Sequence, residues 1–559
     1  MNNVVGGIQK YTVRYFIVVI GLVLCTLGLF ARAVYLTVID QSFLKKQGEA
    51  RMLRTLSIPA YRGMILDRNK NPLAISTPVV AVWINPQDFS IKAPNVNKLL
   101  RILKLSKRQV KKLLKKRDRE FVYLKRGLSP EIGSQVKALN VSGVYLLREF
   151  RRFYPAGAVT AHVLGMTNID DHGQEGLELA YEHWLRGVSG KKQVIKDRLG
   201  HIIADVATLK RSEPGHDLQL SIDRRVQFLA HDVLAQAVTA ERAKSGSVVV
   251  LDARSGEVLA MVNLPSYNPN LRHRIHGSRY RNRAATDVFE PGSVIKAFTI
   301  AAALKSKRYT PRTRVNTAPG WLDVEGKRIH DEGHHAGLMT ITNILTRSSN
   351  VGVTKVALSL RENSLYRLLK EVGFGRNTLS DFPGESAGQL QSRRKWTRLE
   401  VSTLAFGYGL SVTGLQLAKA FTVFANQGKV MPLTLLKRER PPHGKRVLSS
   451  KVAKNMLSML QETVEGNGTG KKARLAHYHV AGKTGTARIA DEGGYSKKRH
   501  IATFVGLAPV KKPKLIVVVV IREPSSGHYY SSTVAAPVFA KIMGGSLRIL
   551  NITPDKISA

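Results

Sequence analysis

The longest apolar pattern lies at the start of the chain. Residues 15–31 form an unbroken uncharged, mostly apolar run; Arg32 interrupts it, and apolar residues resume through Ile39. A helix needs about 20 such residues to cross a bilayer, and Arg32 can snorkel toward the far surface. Lys10 and Arg14 precede the run, and the first acidic residue, Asp40, follows it. The bias of basic residues toward the cytoplasm then predicts a cytoplasmic tail over residues 1–14, a single transmembrane anchor over 15–39 and an extracytoplasmic remainder. A cleaved signal peptide is the rival, but the run exceeds a signal core and no small-x-small site follows it. Cys25, in mid-span, is a small apolar residue there.

No later stretch reaches membrane length, and the pattern shortens into soluble elements. Residues 41–215 mix strand-like runs with a helical stretch at 98–117, where Leu99, Ile102, Leu103, Val110, Leu113 and Leu114 recur at roughly helical spacing. Tyr154-Pro155-Ala156-Gly157 and Gly187-Val188-Ser189-Gly190 mark turns, and Ser212-Glu213-Pro214-Gly215 reads as a boundary loop. Beyond it, 217–222 alternates like a strand and 224–238 has helical periodicity. Residues 247–252 and 257–262 read as a hairpin, and 502–507 with 515–521 as a second strand pair. Strands early and late with helices between predict an α+β domain over 216–559 whose sheet is closed by both ends of the segment.

Composition limits the class of protein. Hydrophobic residues at 43% and charged residues at 23% exclude a disordered chain, a collagen and a polytopic membrane protein, and 559 residues suggest several domains. The single cysteine excludes an internal disulfide framework and a multi-cysteine zinc site. The net charge of +47 points to an anionic partner. It is spread almost evenly: residues 1–215 carry 35 basic and 16 acidic side chains, and residues 216–559 carry 52 and 24. Placed outside the membrane, it meets no nucleic acid, and it suits an anionic cell wall or membrane surface. The run 98–117 carries ten basic residues and no acidic one. It reads as one or two surface helices with solvated basic faces, with anionic lipid or an acidic protein as the alternative partner.

Three short motifs carry candidate chemistry. Ser293-Val294-Ile295-Lys296 follows Glu290-Pro291-Gly292 and opens a helical pattern. Ser293 is thus expected at a helix N-terminus, where N–H groups favour negative charge, with Lys296 one turn on along the same face. A serine hydroxyl needs an adjacent base, and a buried lysine of lowered pKa can serve. S-x-x-K recurs at Ser42, Ser134 and Ser189 without that setting. The second motif is Ser348-Ser349-Asn350, supplying a proton relay and an amide that can bond the lysine and a substrate carbonyl. The third is Lys483-Thr484-Gly485-Thr486, where the lysine can hold a carboxylate and the glycine allows an extended peptide close to a strand edge. A P-loop fails because His477 stands where its first glycine is required. His330, Asp331, Glu332, His334 and His335 lack H-E-x-x-H spacing and read as a polar loop rather than a metal site.

S-x-x-K, S-x-N and K-T-G in this order resemble the signature of penicillin-binding proteins and serine β-lactamases. Nearly the whole chain is similar to the class B penicillin-binding proteins, and its C-terminal run to the septal type of Gram-negative bacteria. Residues 62–68 (RGMILDR), 152–155 (RFYP) and 173–178 (GQEGLE) resemble blocks of the family's pedestal domain. Residues 406–409 (FGYG) with 413–417 (TGLQL) resemble another block, except that Gly414 stands where the family usually has proline. The resemblance implies an elongated mixed pedestal, non-catalytic and of dimerisation type, over 40–215, and a β-lactamase-like transpeptidase domain, an antiparallel sheet packed with helices, over 216–559.

It further implies a D,D-transpeptidase crosslinking peptidoglycan stem peptides that end in D-Ala-D-Ala during septal wall synthesis, inhibited by β-lactams acylating Ser293. Lys296 would be the base, Ser348 the relay to the leaving group, and Asn350 the orienting amide. The N–H groups of Ser293 and Thr486 would form the oxyanion hole. Lys483, Thr484 and Thr486 would hold the terminal carboxylate. This chemistry needs no metal or cofactor. The implied location is the bacterial inner membrane, single-pass, with the catalytic domain periplasmic. The implied partners are divisome proteins including the glycosyltransferase FtsW. The rivals are an elongation-type enzyme of the lateral wall, a β-lactamase, a D,D-carboxypeptidase, and a non-catalytic divisome scaffold or penicillin sensor.

Overall fold

A computed structural model describes residues 5–556 apart from 116–118, 120, 197–201, 272–276, 334–336 and 393–394. The first four residues of the expected tail, Lys116 and Arg117 of the basic run, and His334 and His335 therefore lie outside the described residues. Packing groups the described chain into two compact units, Met1–Ala60 with Pro78–Glu149 and Val188–Pro214, and Tyr61–Thr77 with Phe150–Gly187 and Gly215–Ala559.

In the smaller unit, the apolar run is helical over Val5–Val34 and continues as a π-turn over Tyr35–Ile39. Val13–Ile39, 27 residues of mean hydropathy 2.4, is long and apolar enough to cross a membrane. At 1.5 Å per residue it spans about 40 Å. The Arg32 guanidinium lies over the Tyr35 ring, 5.3 Å from its centroid, reaching along the helix toward the C-terminal end as a snorkelling side chain does. Strands Leu53–Ile58, Gly190–Lys196 and Ile202–Lys210 make a three-stranded antiparallel sheet. The basic run forms two helices, Val96–Leu103 and Lys107–Leu114. Ser106 and Gln109 close the second helix's start with a capping box. Leu99, Leu103 and Val110 turn inward onto Val82, Ile84 and Phe89, which leaves the lysines in solvent.

In the larger unit, five antiparallel strands form the central sheet. They are β1 (Ser245–Asp252), β2 (Val258–Leu264), β3 (Ala481–Asp491), β4 (Gly494–Ala508) and β5 (Leu515–Arg522), in the spatial order β2-β1-β5-β4-β3. The hairpin near residue 250 therefore pairs directly with a strand near the C-terminus, as the early-and-late strand pattern predicts. Both faces are covered, so the strands read as continuous apolar runs. Val248, Val250, Val517 and Val519 point into one core, and Val249, Leu251, Ile516 and Val518 into the other.

The longer helices of this unit are α1 (Arg224–Ala240), α2 (Lys296–Lys305), α3 (Asn350–Ser359), α4 (Gly414–Ala425), α5 (Ser450–Glu465) and α6 (Ser531–Ile549). α1 and α6 cover the first core, and α2, α4 and α5 fill the second. α2 is buried on every side from Lys296 to Leu304, with Phe298 edge-on to Phe374 and Phe421 at 5.5 Å. Gly414 takes the first position of α4, behind a Thr413–Gln416 capping box. That position also accepts proline, so the local turn survives the exchange.

The expected strand at 217–222 is only two residues long. Leu218–Gln219 pairs in parallel with Ile65–Leu66. Ser221 instead donates to Val258 O at 2.7 Å, and Asp223 caps α1 through the Arg225 N–H. Three of the resembling blocks meet nearby in one buried cluster. Arg62 pairs with Glu178 at 2.7 Å, and Arg152 with the same carboxylate at 2.6 Å, all three fully buried. Removing one partner of such a pair costs about 3–5 kcal/mol because the other charge is left buried and alone.

Candidate active site

Ser293 lies in a 3-10 turn, Gly292–Ile295, that runs straight into α2. The Gly292 N–H donates to Gly407 O at 3.1 Å. Gly407 has φ +92°, and a Cβ there would collide with the Gly292 carbonyl, so glycine is required. Glu290 Oε1 accepts from the Gly409 N–H at 2.8 Å and from the Tyr495 hydroxyl at 3.0 Å. The 406–409 block thus clamps the turn that carries Ser293.

Lys296 is one turn further on, with its ammonium inside the protein. Its Nζ donates to Asn350 Oδ1 at 2.6 Å, to Ser348 O at 2.6 Å and to Ser348 Oγ at 3.2 Å. Burial pulls its pKa down to about 7, and the negative charges of Asp331 and Glu332 act in the opposite sense. Ser348 sits between helices at φ +61°, an uncommon conformation for a residue with a side chain. Its neighbours hold it there. Ser349 caps α3, accepting from the Gly352 N–H at 2.8 Å and donating to Asp331 Oδ2 at 2.7 Å. Asp331 Oδ1 accepts from the Val351 N–H at 2.9 Å, and the Asn350 amide donates to His330 O at 2.9 Å.

The third motif opens β3, the edge strand beside the 3-10 turn. Lys483 is fully buried, and its Nζ donates to Ser348 Oγ at 3.0 Å. Burial, followed by the positive charge of Lys296, holds its pKa well below the ordinary lysine range. Ser348 Oγ therefore accepts from both lysines. Thr484 shares a hydroxyl–hydroxyl bond with Thr469 at 2.7 Å. Thr486 Oγ1 donates to Ser531 Oγ at 3.1 Å and accepts from the Ser531 N–H at 3.0 Å, which fastens the start of α6. A hydroxyl has one proton to donate, so Thr486 can offer it to a ligand only by releasing Ser531. A Cβ on Gly485 would lie 2.5 Å from Pro291 O and 2.6 Å from Val294 Cγ2. That glycine admits the turn that carries Ser293 against the strand.

Ser293, Lys296, Ser348, Asn350, Thr484 and Thr486 line one cavity of about 170 Å³. Lys483 and Gly485 are not in its lining, and Lys483 reaches it through Ser348 Oγ. Glu332, Tyr408 and Tyr530 also face the cavity and were not singled out by the motifs for the reaction. Thr469 and Ser531 line it too, whereas Asp331 acts from outside; Asp331 and Glu332 had drawn attention only as members of the polar loop. In that loop Asp331 and His330 O are spent on holding the Ser349-Asn350 pair.

Residues 246–544 match the penicillin-binding protein transpeptidase domain, and residues 57–220 the penicillin-binding protein dimerisation domain. The chain is similar to the probable peptidoglycan D,D-transpeptidase PbpC of Pseudomonas aeruginosa, with 41% identity over 98% of this chain and 97% of that one. It is similar to the peptidoglycan D,D-transpeptidase FtsI of Escherichia coli, with 38% identity over 97% and 93%. Among solved structures it is similar to penicillin-binding protein 3 of Mycobacterium tuberculosis complexed with aztreonam, at TM-score 0.70 and 26% identity over 90% of this chain and 100% of that one. It also resembles the transpeptidase domain of Burkholderia pseudomallei penicillin-binding protein 3, at TM-score 0.56 and 38% identity over 60% and 98%.

Proposed function

Since the chain belongs to the penicillin-binding protein transpeptidase family, we propose that Ser293 is the nucleophile with which it crosslinks peptidoglycan. The protein is a serine-type peptidoglycan D,D-transpeptidase, and peptidoglycan and β-lactams are its ligands. The observation that carries the assignment of roles is the Ser348 hydroxyl, which accepts from Lys296 at 3.2 Å and Lys483 at 3.0 Å beside the cavity that Ser293 lines.

With a pKa near 7, Lys296 is neutral in a substantial share of molecules and takes the proton from Ser293 Oγ. Oγ attacks the carbonyl between the two terminal D-Ala residues. The backbone N–H groups of Ser293 and Thr486 stabilise the oxyanion; losing one such donor costs about 2.7–4 kcal/mol. The C–N bond breaks, Ser348 relays the proton to the departing D-Ala, and an ester to Ser293 remains. An amine of a neighbouring stem peptide then attacks that ester, and Oγ recovers its proton. Asn350 orients Lys296 and the donor amide. Lys483 and the Thr484 hydroxyl meet the terminal carboxylate, whose charge favours the ammonium form that burial disfavours. A β-lactam acylates Ser293 in place of the stem peptide.

The reading extends to place and partners. The 27-residue apolar helix supports a single-pass inner-membrane protein whose residues beyond about 40 are periplasmic. Similarity to FtsI supports a septal role, with residues 40–215 as a pedestal that meets divisome proteins including the glycosyltransferase FtsW, and residues 216–559 as the catalytic domain. The test is covalent labelling by a fluorescent penicillin. The wild type is expected to label and Ser293→Ala to show no adduct; a persistent adduct on the alanine variant would remove Ser293 from its role. In cells depleted of the wild type, the septal role predicts filaments that the wild-type gene rescues and Ser293→Ala does not. Rounded cells would place the enzyme in lateral-wall synthesis.

A further inference from the structure

A second cavity, of about 840 Å³, shares no lining residue with the catalytic one. Its size falls within the range of about 300–1,000 Å³ typical of ligand sites. Six cations line it: Arg254, Lys429, Arg446, Lys454, Lys511 and Lys512. None of the described lining residues is Asp or Glu, and among the described residues none of the six makes an ion pair. The nearby carboxylate of Asp555 accepts from the backbone N–H of Lys511 at 3.2 Å. Phe424 and Met431, both buried, and Leu457 give the cavity an apolar floor.

Two local arrangements leave this positive charge uncompensated. Lys429 and Arg446 stand directly opposite each other in a short antiparallel pair, where like charges destabilise. The first turns of α5 carry Lys451 and Lys454 and no acidic residue, although a helix N-terminus favours anions and disfavours cations. An anion in the cavity relieves both at once. Arg446 is already positioned to receive one: its Nη1 donates to Gln427 O at 2.9 Å, which fixes the plane of the guanidinium fork.

We propose that this cavity binds an anionic phosphate-bearing ligand, any apolar part of which rests on Phe424 and Met431. Peptidoglycan carboxylates fit less well, because a stem peptide also brings the amine that the reaction consumes, and the described lining offers that amine no carboxylate. The phosphate can belong to a soluble ester or to a lipid headgroup.

The test uses the full chain in neutral detergent, titrated with inorganic pyrophosphate and, separately, with a short-chain phosphatidylglycerol, with zwitterionic short-chain phosphatidylcholine as the control of no net charge. The variant Lys429→Gln/Lys454→Gln is compared with Lys107→Gln/Lys111→Gln, which removes the same charge from the basic helices of the other unit. Fluorescent-penicillin labelling confirms that each variant is folded. Saturable binding weakened about 10-fold or more by the first pair and unchanged by the second supports the site. Pyrophosphate as the responsive probe identifies a soluble source, and phosphatidylglycerol a lipid one. Equal weakening by both pairs would reduce the effect to the overall charge and overturn the proposal. So would the absence of saturable binding, or binding of a phosphate-free stem peptide that Lys429→Gln/Lys454→Gln abolishes while neither phosphate probe binds.

Discussion

Lys296 is almost wholly withdrawn from bulk solvent. Its ammonium is enclosed by α2, Ser348 and Asn350, and that enclosure brings its pKa to about 7. As a base it works when neutral, so acylation of Ser293 by a β-lactam should rise with pH through about 7 and then level off. Stopped labelling over roughly pH 5.5 to 9 measures this, and a flat profile would point to a different base. Glu332 stabilises the ammonium from across the cavity, so Glu332→Gln should move the rising limb to lower pH. Lys296→Ala should cost about 10²-fold or more of the acylation rate. The candidate residues of this site were legible because the motifs are short and local: three residues along the chain separate Ser293 from Lys296, and two separate Ser348 from Asn350. What was not legible came from far along the chain. Asp331 meets Ser349 eighteen residues on, and Ser531 takes the Thr486 hydroxyl from forty-five residues away. No local period marks such partners, so the sequence reading gave the Thr486 hydroxyl a substrate role while folding occupies it with α6.

The approach of β3 to the 3-10 turn depends on one missing side chain. Gly485→Ala would drive a methyl group into Pro291 O and Val294 Cγ2 at 2.5 and 2.6 Å. Overpacking of this kind costs about 1–3 kcal/mol, and here the strain falls on Pro291, which caps the turn, and on Val294, which follows Ser293 in it. The variant should melt several degrees lower and acylate at least about 10-fold more slowly. Wild-type melting and acylation together would mean that the strand is free to move away. The sheet's inner strands were readable because residues 515–521 and 247–252 are β-branched and apolar on both faces, which only a doubly covered strand tolerates. Helix α1 was readable from its period; its cap, Asp223, emerged only in the structure. The alternation at 217–222 misled because it extends beyond the two residues that pair; Ser221 and Ile222 are buried among other loops and strands rather than in a ladder. β3 shows the converse. Its first six residues, Ala-Gly-Lys-Thr-Gly-Thr, carry little strand propensity because they are chosen for the site they border.

At the scale of the whole chain, the proposed attachment to a bilayer draws on two forces, and only one of them responds to salt. A net charge of +47 draws any part of the molecule toward an anionic surface. That attraction collapses when the screening length falls to about 3 Å at 1 M salt. The apolar helix Val13–Ile39 is indifferent to salt, because its affinity comes from burying apolar side chains over 27 residues, more than the about 20 that span the hydrocarbon core. The full chain should therefore stay in the membrane fraction through a 1 M salt wash and leave only with detergent. Leu24→Arg together with Leu27→Arg should reverse this, since each arginine near the middle of the span costs about 2.5–3.5 kcal/mol of insertion. The double variant should still pellet with membranes at low salt, held by its charge, and be released at 1 M. Release of the wild type by salt alone would reduce the anchor to an electrostatic contact. Retention of the double variant at 1 M would show that some other part of the chain holds the membrane.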